Sequence, residues 1–343
     1  MPAACNHAAG IIRIGTYWIP YGHVAFVDRQ GSIEECHMLI LETGVNTVIT
    51  KSSLYRKEML YGYLFILPPI LGLLIFVMFP FLYSLYGSFT DWDGLGQMNF
   101  IGLANFKDLL TDDLFYKAMF NTFFLMLGIP IGLLLALLLA MGLNRKIPGT
   151  TTFRVIYYIP VISSLAAVSI MWNWAYNGDY GLVNQFLGLF GIEGPNWLAN
   201  KDTVKPALII MTVWKGLGYT MLLYLAALQS VSRTYYEAAE LDGANGFQIF
   251  RNITWPMVKP VTFFLVVTNI IGGSQIFTEM NIMTPTGGPE YSSASIVFYI
   301  WQKAFSNLQM GYASAMAMIL GIFIFVITLV QFKMNEKSAY DGD

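Results

Sequence analysis

Four stretches of this 343-residue chain, 59–90, 118–144, 155–178 and 304–332, contain no Asp, Glu, Lys or Arg. Each exceeds the roughly 20 apolar residues that a helix needs to cross a ~30 Å hydrocarbon core. Two more stretches, 206–232 and 260–289, hold one charge each, Lys215 and Glu279. The pattern predicts an all-α polytopic membrane protein with six transmembrane helices. Composition agrees: 56% of residues are hydrophobic and 12% charged, about half the charge of a soluble domain. The net charge of −2 leaves no basic footprint for nucleic acid.

The distribution of basic residues predicts the orientation. Lys51, Arg56 and Lys57 precede the first span, and Arg145, Lys146 and Arg154 lie between the second and third. Arg233, Arg251 and Lys259 lie between the fourth and fifth, and Lys333 and Lys337 follow the sixth. The opposite loops hold only Lys107, Lys117, Lys201, Lys205 and Lys303, with nine carboxylates. Both termini are therefore expected in the cytoplasm. The expected divisions are a leader (1–50), a first transmembrane helix with its outer loop (51–116), a core (117–332) and a cytoplasmic tail (333–343).

The leader carries every His (His7, His23, His37) and both Cys (Cys5, Cys36). Their spacing fits no paired-ligand zinc pattern, so no metal site is expected. The leader also lacks the basic-then-apolar order of a signal peptide. It reads as a poorly ordered cytoplasmic segment, or as sequence upstream of the true start.

The loop at 230–259 is the most informative. Thr234 and Glu237 have the spacing of a capping box, Ala238, Ala239 and Leu241 favour helix, and Gly243 suits a left-handed terminator. A second short helix is expected at Phe247–Ile253, ended by Pro256 and Pro260. The residues alone allow either a partner-docking helix pair, 234–243 and 247–253, or an ordinary interfacial connection.

Glu237-Ala238-Ala239-x-x-Asp242-Gly243-Ala244, followed by Ile253-x-x-Pro256-x-x-x-Pro260, resembles the EAA motif of importer permeases of the ATP-binding cassette (ABC) class. The resemblance extends through most of 60–332. Phe100-Ile101-Gly102-Leu103-x-Asn105-Phe106, Asn121-Thr122, Trp214-Lys215-Gly216-Leu217-Gly218 and Gly287-Gly288-Pro289 are similar to carbohydrate-uptake permeases, particularly the larger maltose-type subunit. One departure is the Met283–Thr286 stretch, a residue longer than usual before Gly287. The resemblance implies a type I ABC importer transmembrane domain. It also implies a coupling helix whose Glu237, Ala238, Ala239, Asp242, Gly243, Ala244 and Pro256 work against a separate ATPase. The implied partners are a second homologous permease, an ATPase dimer, an extracytoplasmic solute-binding protein received by loops 87–117 and 177–205, and membrane lipid. No Gly-x-x-x-x-Gly-Lys-Ser/Thr run occurs, so ATP and Mg are expected on the partner ATPase and no cofactor on this chain.

For the substrate pathway the resemblance implies Lys215, Gly216, Ser274, Gln275 and Glu279, with Tyr219 and Tyr224 as aromatic surfaces for sugar C–H faces. Unbroken helices would put Lys215 roughly 14 Å and Glu279 roughly 2 Å below the outer face, too far apart in depth for a direct pair. Glu279 is thus open to either a cavity role or snorkelling to the interface. Gly272-Gly273 should permit close backbone approach, and Pro68, Pro69, Pro80, Pro130 and Pro160 should kink their spans. An ion-gradient-driven secondary transporter is the alternative. It calls for internal repeats and midplane carboxylates, neither of which the sequence displays.

Overall fold

The computed structural model describes residues 53–145 and 148–340, with a short antiparallel pair, β1 (Phe26–Val27) and β2 (Ile33–Glu34). The leader's Cys and His residues and Lys146 lie outside the described residues. In chain order the helices are α1 (Ser53–Leu73), α2 (Phe79–Gly87), α3 (Ala104–Leu109), α4 (Asp113–Met126) and α5 (Gly128–Leu143). There follow α6 (Thr150–Ile162), α7 (Leu165–Ala175), α8 (Leu182–Gly188), α9 (Val204–Ser230) and α10 (Arg233–Leu241). The last are α11 (Gly246–Ile249), α12 (Trp255–Ser274), α13 (Thr278–Met283), α14 (Ile296–Trp301) and α15 (Met310–Tyr340). Contacts divide the chain into two units, Met1–Pro68 and Pro69–Asp343, and the packing below is that of the second.

Among the described residues, five continuous segments are long and apolar enough to span a bilayer: Met59–Gly87, Asp113–Leu143, Val204–Ser230, Gly246–Ser274 and Met310–Asn335. The third expected span is different. It is the pair α6 and α7, bent by 99° at Ser163–Ser164. Pro160 removes one helical hydrogen bond, and the two serines take extended ψ values of 142° and 131°. An uncharged run reports length and solvent, and carries no information about straightness.

The fifth span departs in two ways. Pro256 and Pro260 do not end the preceding helix. A π turn at Phe250–Thr254, closed by the Trp255 amide on the Phe250 carbonyl, absorbs the missing donors, and α11 runs through into α12. The same device, Leu74–Met78, precedes Pro80 in the first span. At its other end the span stops at Ser274 rather than continuing to 289.

α9 is the axis of the packed unit. One half, with Val204, Ala207, Leu208 and Met211, meets Val168 and Tyr176 of the α7 segment, Met280 of α13 and Phe298 of α14. The Tyr176 hydroxyl donates to the Ala207 carbonyl at 2.8 Å. The other half, Met221, Tyr224, Leu225 and Leu228, packs on Ala136, Leu137 and Ala140 of α5 and on Val258 and Leu265 of α12. Small residues at these seams let backbones approach, which lipid-embedded helices rely on for dispersion contact. At Gly218 the approach is complete: a Cβ there would collide with the Tyr157 carbonyl of α6.

At the end of the bundle bearing α3 and α14, polar side chains tie the loops down. Asn121 Nδ2 donates to the Tyr291 and Ala294 carbonyls at 3.0 and 3.1 Å, while its Oδ1 accepts from Lys205 Nζ at 3.2 Å. Asn105 similarly donates to the Ser88 and Thr90 carbonyls. Asp112 caps α4 and accepts the Tyr299 and Tyr312 hydroxyls, both at 2.6 Å. Burial pushes the Asp112 carboxyl up, but these hydroxyls and the Phe115 and Leu114 amides outweigh it and hold the group below its ordinary value.

Two substitutions test this packing. Asn121→Leu removes the donor shared by two carbonyls and the hydrogen-bond acceptor of the Lys205 ammonium, and should destabilise by about 2–3 kcal/mol, read as a lower melting temperature in detergent. Gly218→Val should separate α6 from α9, with a loss of about 3 kcal/mol or more and reduced membrane abundance on immunoblot.

Candidate functional site

Two places in the packed unit bring together the residues singled out from the sequence. The first is the α10–α11 segment. α10 is capped by Ser232, whose Oγ accepts the Thr234 amide at 3.4 Å. The expected Thr234/Glu237 capping box is therefore not formed, because the N-cap is two residues earlier, at Ser232, and Thr234 already lies inside the helix. The reciprocal box occurs one helix later: Asn245 Oδ1 accepts the Gln248 amide and Gln248 Oε1 accepts the Asn245 amide. Between them the chain turns at Gly243, with φ of +77°. The Ala244 amide bonds the Ala239 carbonyl and the Gly243 amide the Glu240 carbonyl, which together make a Schellman termination. Glycine meets that positive φ without the cost a Cβ would add.

α10 divides the EAA residues between two faces. Arg233, Tyr236, Glu237 and Glu240 line a cavity against the ends of α5, α6 and α9. The Tyr236 hydroxyl meets Thr254 Oγ1 of the π turn at 3.4 Å. The opposite face presents Tyr235, Ala238, Leu241 and Asp242, with Leu241 90% exposed. Pro256 sits in the first turn of α12, which continues the α11 direction.

The second place is a cavity of about 370 Å³ between α4, α5, α9, α12 and α13. Of the expected pathway residues, Gly216, Gln275 and Glu279 line it; Lys215, Tyr219 and Ser274 do not. Gly272 and Gly273 form part of its wall, as close backbone approach requires. Polar groups are supplied by Thr212, Thr220, Thr268 and Asn269, and an aromatic surface by Phe277. Tyr224 is buried in the α5–α9–α12 core instead.

The broken fifth span creates this arrangement. Helical geometry fails at Gln275–Phe277, where Phe277 has φ −143° and ψ −54°. The Gln275 amide returns to the Gly272 carbonyl, and Ser295 Oγ donates to the Ile276 carbonyl at 2.6 Å. After the break, α13 folds Glu279 inward, 9% exposed and on the cavity wall. The depth deduced from an unbroken helix, and with it snorkelling, fails for that reason.

Lys215 has a different place. Its Nζ donates to the carbonyls of Pro160, Val161 and Ser163, at 3.1, 3.4 and 3.1 Å. These are the carbonyls freed where α6 ends at the bend, so the ammonium acts as a side-chain cap. Ser274 Oγ is taken up by the Ile270 carbonyl at 2.7 Å, and Tyr219 is exposed away from the cavity. Thr212, Thr268, Asn269 and Phe277 were missed by sequence reasoning. For Asn269 a signal existed: with Gly272 and Gly273 it makes one i, i+3, i+4 stripe of α12.

Comparison with known proteins bears on the chain as a whole. Residues 114–337 match the family described as binding-protein-dependent transport system inner membrane component. The chain is 38% identical over 291 residues to the probable ABC transporter permease protein YesP of Bacillus subtilis, covering 83% of this chain and 94% of that protein. It is 36% identical over 289 residues to the lactose transport system permease protein LacF of Rhizobium radiobacter, covering 82% and 96%. In structure it is similar to a chain of a bacterial alginate ABC transporter in complex with an alginate pentasaccharide-bound periplasmic protein. That similarity has a TM-score of 0.73 and 26% identity, over 84% of this chain and 97% of that one. Family match, identity and fold agree, and the chain belongs to the binding-protein-dependent transport system inner membrane components, as a multi-pass permease of the ABC transporter type.

Proposed function

We propose that this chain forms half of the translocation pathway of an ATP-driven importer for a carbohydrate or related polar solute. α10 would couple it to a separate ATPase. The observation that carries this reading is the joined geometry of the two places. A capped, Schellman-terminated helix stands at one end of α11–α12, and the polyol-compatible cavity lies at the other. A rigid, capped helix passes on a rigid-body displacement that a loose loop would absorb.

In this reading the exposed Tyr235, Ala238, Leu241 and Asp242 face seats in the ATPase, with Glu237 and Glu240 turned towards the membrane-side cavity. Ala239, Gly243 and Ala244 hold the turn that fixes the helix. Asn269, Gln275, Thr212 and Thr268 offer donors and acceptors for solute hydroxyls, and Phe277 a face for C–H surfaces. The lactose permease relative and the alginate transporter neighbour support a sugar. Lys215 positions the bent third span instead of touching solute. The excess of basic residues in the α10-side loops supports placing that end, and both termini, in the cytoplasm. A second permease, an ATPase dimer carrying ATP and Mg, and an extracytoplasmic solute-binding protein complete the assembly.

Gly243→Asp tests the coupling. Nothing lies within 4 Å of a Cβ at Gly243, and Asp is among the residues that tolerate a left-handed conformation, so the fold should survive. Membrane abundance should stay normal while solute uptake and solute-stimulated ATP hydrolysis are lost; normal uptake would remove α10 from the coupling path. The energy source is tested in proteoliposomes holding the co-purified subunits, with the ATPase side and ATP in the lumen and the solute with its binding protein outside. Uptake should require ATP and persist after ionophores collapse every ion gradient, whereas gradient-driven uptake without ATP would establish the secondary-transporter alternative.

A further inference from the structure

The cavity under α10 has a volume of about 1070 Å³ and is bounded by the ends of α5, α6 and α9. Three arginines line it: Arg145 just past α5, Arg154 in the first turns of α6, and Arg233 at the start of α10. Glu237 and Glu240 share the lining. Even so, among the described residues none of the three guanidinium groups forms an ion pair or a hydrogen bond. Arg154 Nε is shut off from solvent without any partner, and a buried unpartnered donor of a charged group is costly.

The thirteen-residue α6 also opens on this space. Its N-cap is Gly149, which offers no side-chain acceptor, and Thr150 of its first turn is in the cavity wall. Orphan amides at a helix start favour an anion, and the planar guanidinium fork matches paired phosphate oxygens. Asn144, Gln229, Tyr236 and Thr254 add neutral polar groups, and Met141, Leu143, Leu228, Val231, Ile249 and Phe250 supply an apolar part of the wall. A ligand that satisfies both halves is an amphiphile with an anionic phosphate head.

We propose that this cavity binds the phosphate of an anionic phospholipid. Arg145, Arg154 and Arg233 would meet the headgroup, and the apolar wall the first part of an acyl chain. Basic pockets between spanning helices suit such headgroups. Among the described residues the two glutamates leave one net positive charge in the lining, which matches a singly charged lipid such as phosphatidylglycerol. Inorganic phosphate shares the arginine chemistry and leaves the apolar wall uncovered.

The test uses the full chain in detergent with mixed micelles of phosphatidylglycerol or phosphatidylcholine, read by native mass spectrometry. Phosphatidylglycerol should be retained in preference to phosphatidylcholine. Arg154→Gln should lower that retention by roughly fivefold, and Arg154→Lys should keep most of it. Melting temperatures matched to the parent chain show that the fold is intact. Excess inorganic phosphate should displace little of the lipid; full displacement would assign the site to a free phosphate ion and overturn the lipid. Equal retention of the two lipids, or unchanged retention in a folded Arg154→Gln variant, would overturn the site itself. This readout is independent of transport, so it fails or stands separately from the importer reading.

Discussion

Hydrocarbon offers a peptide group no hydrogen-bond partner, and each one left unpaired costs several kcal/mol. A chain of this kind is free to break its helices only where its own side chains or carbonyls meet the freed groups. Each interruption inside the bundle obeys that condition. At the bend of the third span, Lys215 gathers the Pro160, Val161 and Ser163 carbonyls. At the break of the fifth, Ser295 takes the Ile276 carbonyl and the Gln275 amide finds Gly272. Ahead of Pro80 and Pro256, π turns re-register the ladder without exposing it. Without these local settlements there would be no bent span, no inward-folded α13 and no cavity.

The same constraint explains what could be read from sequence. Uncharged runs reveal how many times the chain meets the bilayer, since the charge penalty acts residue by residue and needs no tertiary knowledge. The turn at Gly243 was legible because a left-handed terminator has a local chemical signature. Glu279 was not. Its depth followed from assuming a continuous helix, and the break that overturned this depends on Ser295, twenty-one residues from Ser274 and on another element. The hydrogen-bond partners of Lys215 were not legible either, since they are carbonyls more than fifty residues earlier. Thr234 and Glu237 had the correct spacing for a box, and Ser232, two residues before Thr234, took the capping position first.

Span five joins the two candidate places physically. From Gly246 to Ser274 it is one 29-residue helical segment, roughly 43 Å long at 1.5 Å per residue. The capping box of Asn245 and Gln248 lies at one end; Gly272, Gly273 and Gln275 lie at the other. Tyr236 meets Thr254 near the start of this rod, so α10 and the rod have a direct side-chain link.

The contacts of α9 with α6 have a mechanical consequence. Lys215 clamps the end of α6, and three residues further on the Gly218 backbone rests on Tyr157. Two points of attachment on one helix remove sliding and pivoting alike. α6 and α9 therefore form a single strut. The non-helical residues 275–277 and the π turn at 250–254 interrupt span five beside this strut, so its backbone departs from the α ladder where α6 and α9 are held together.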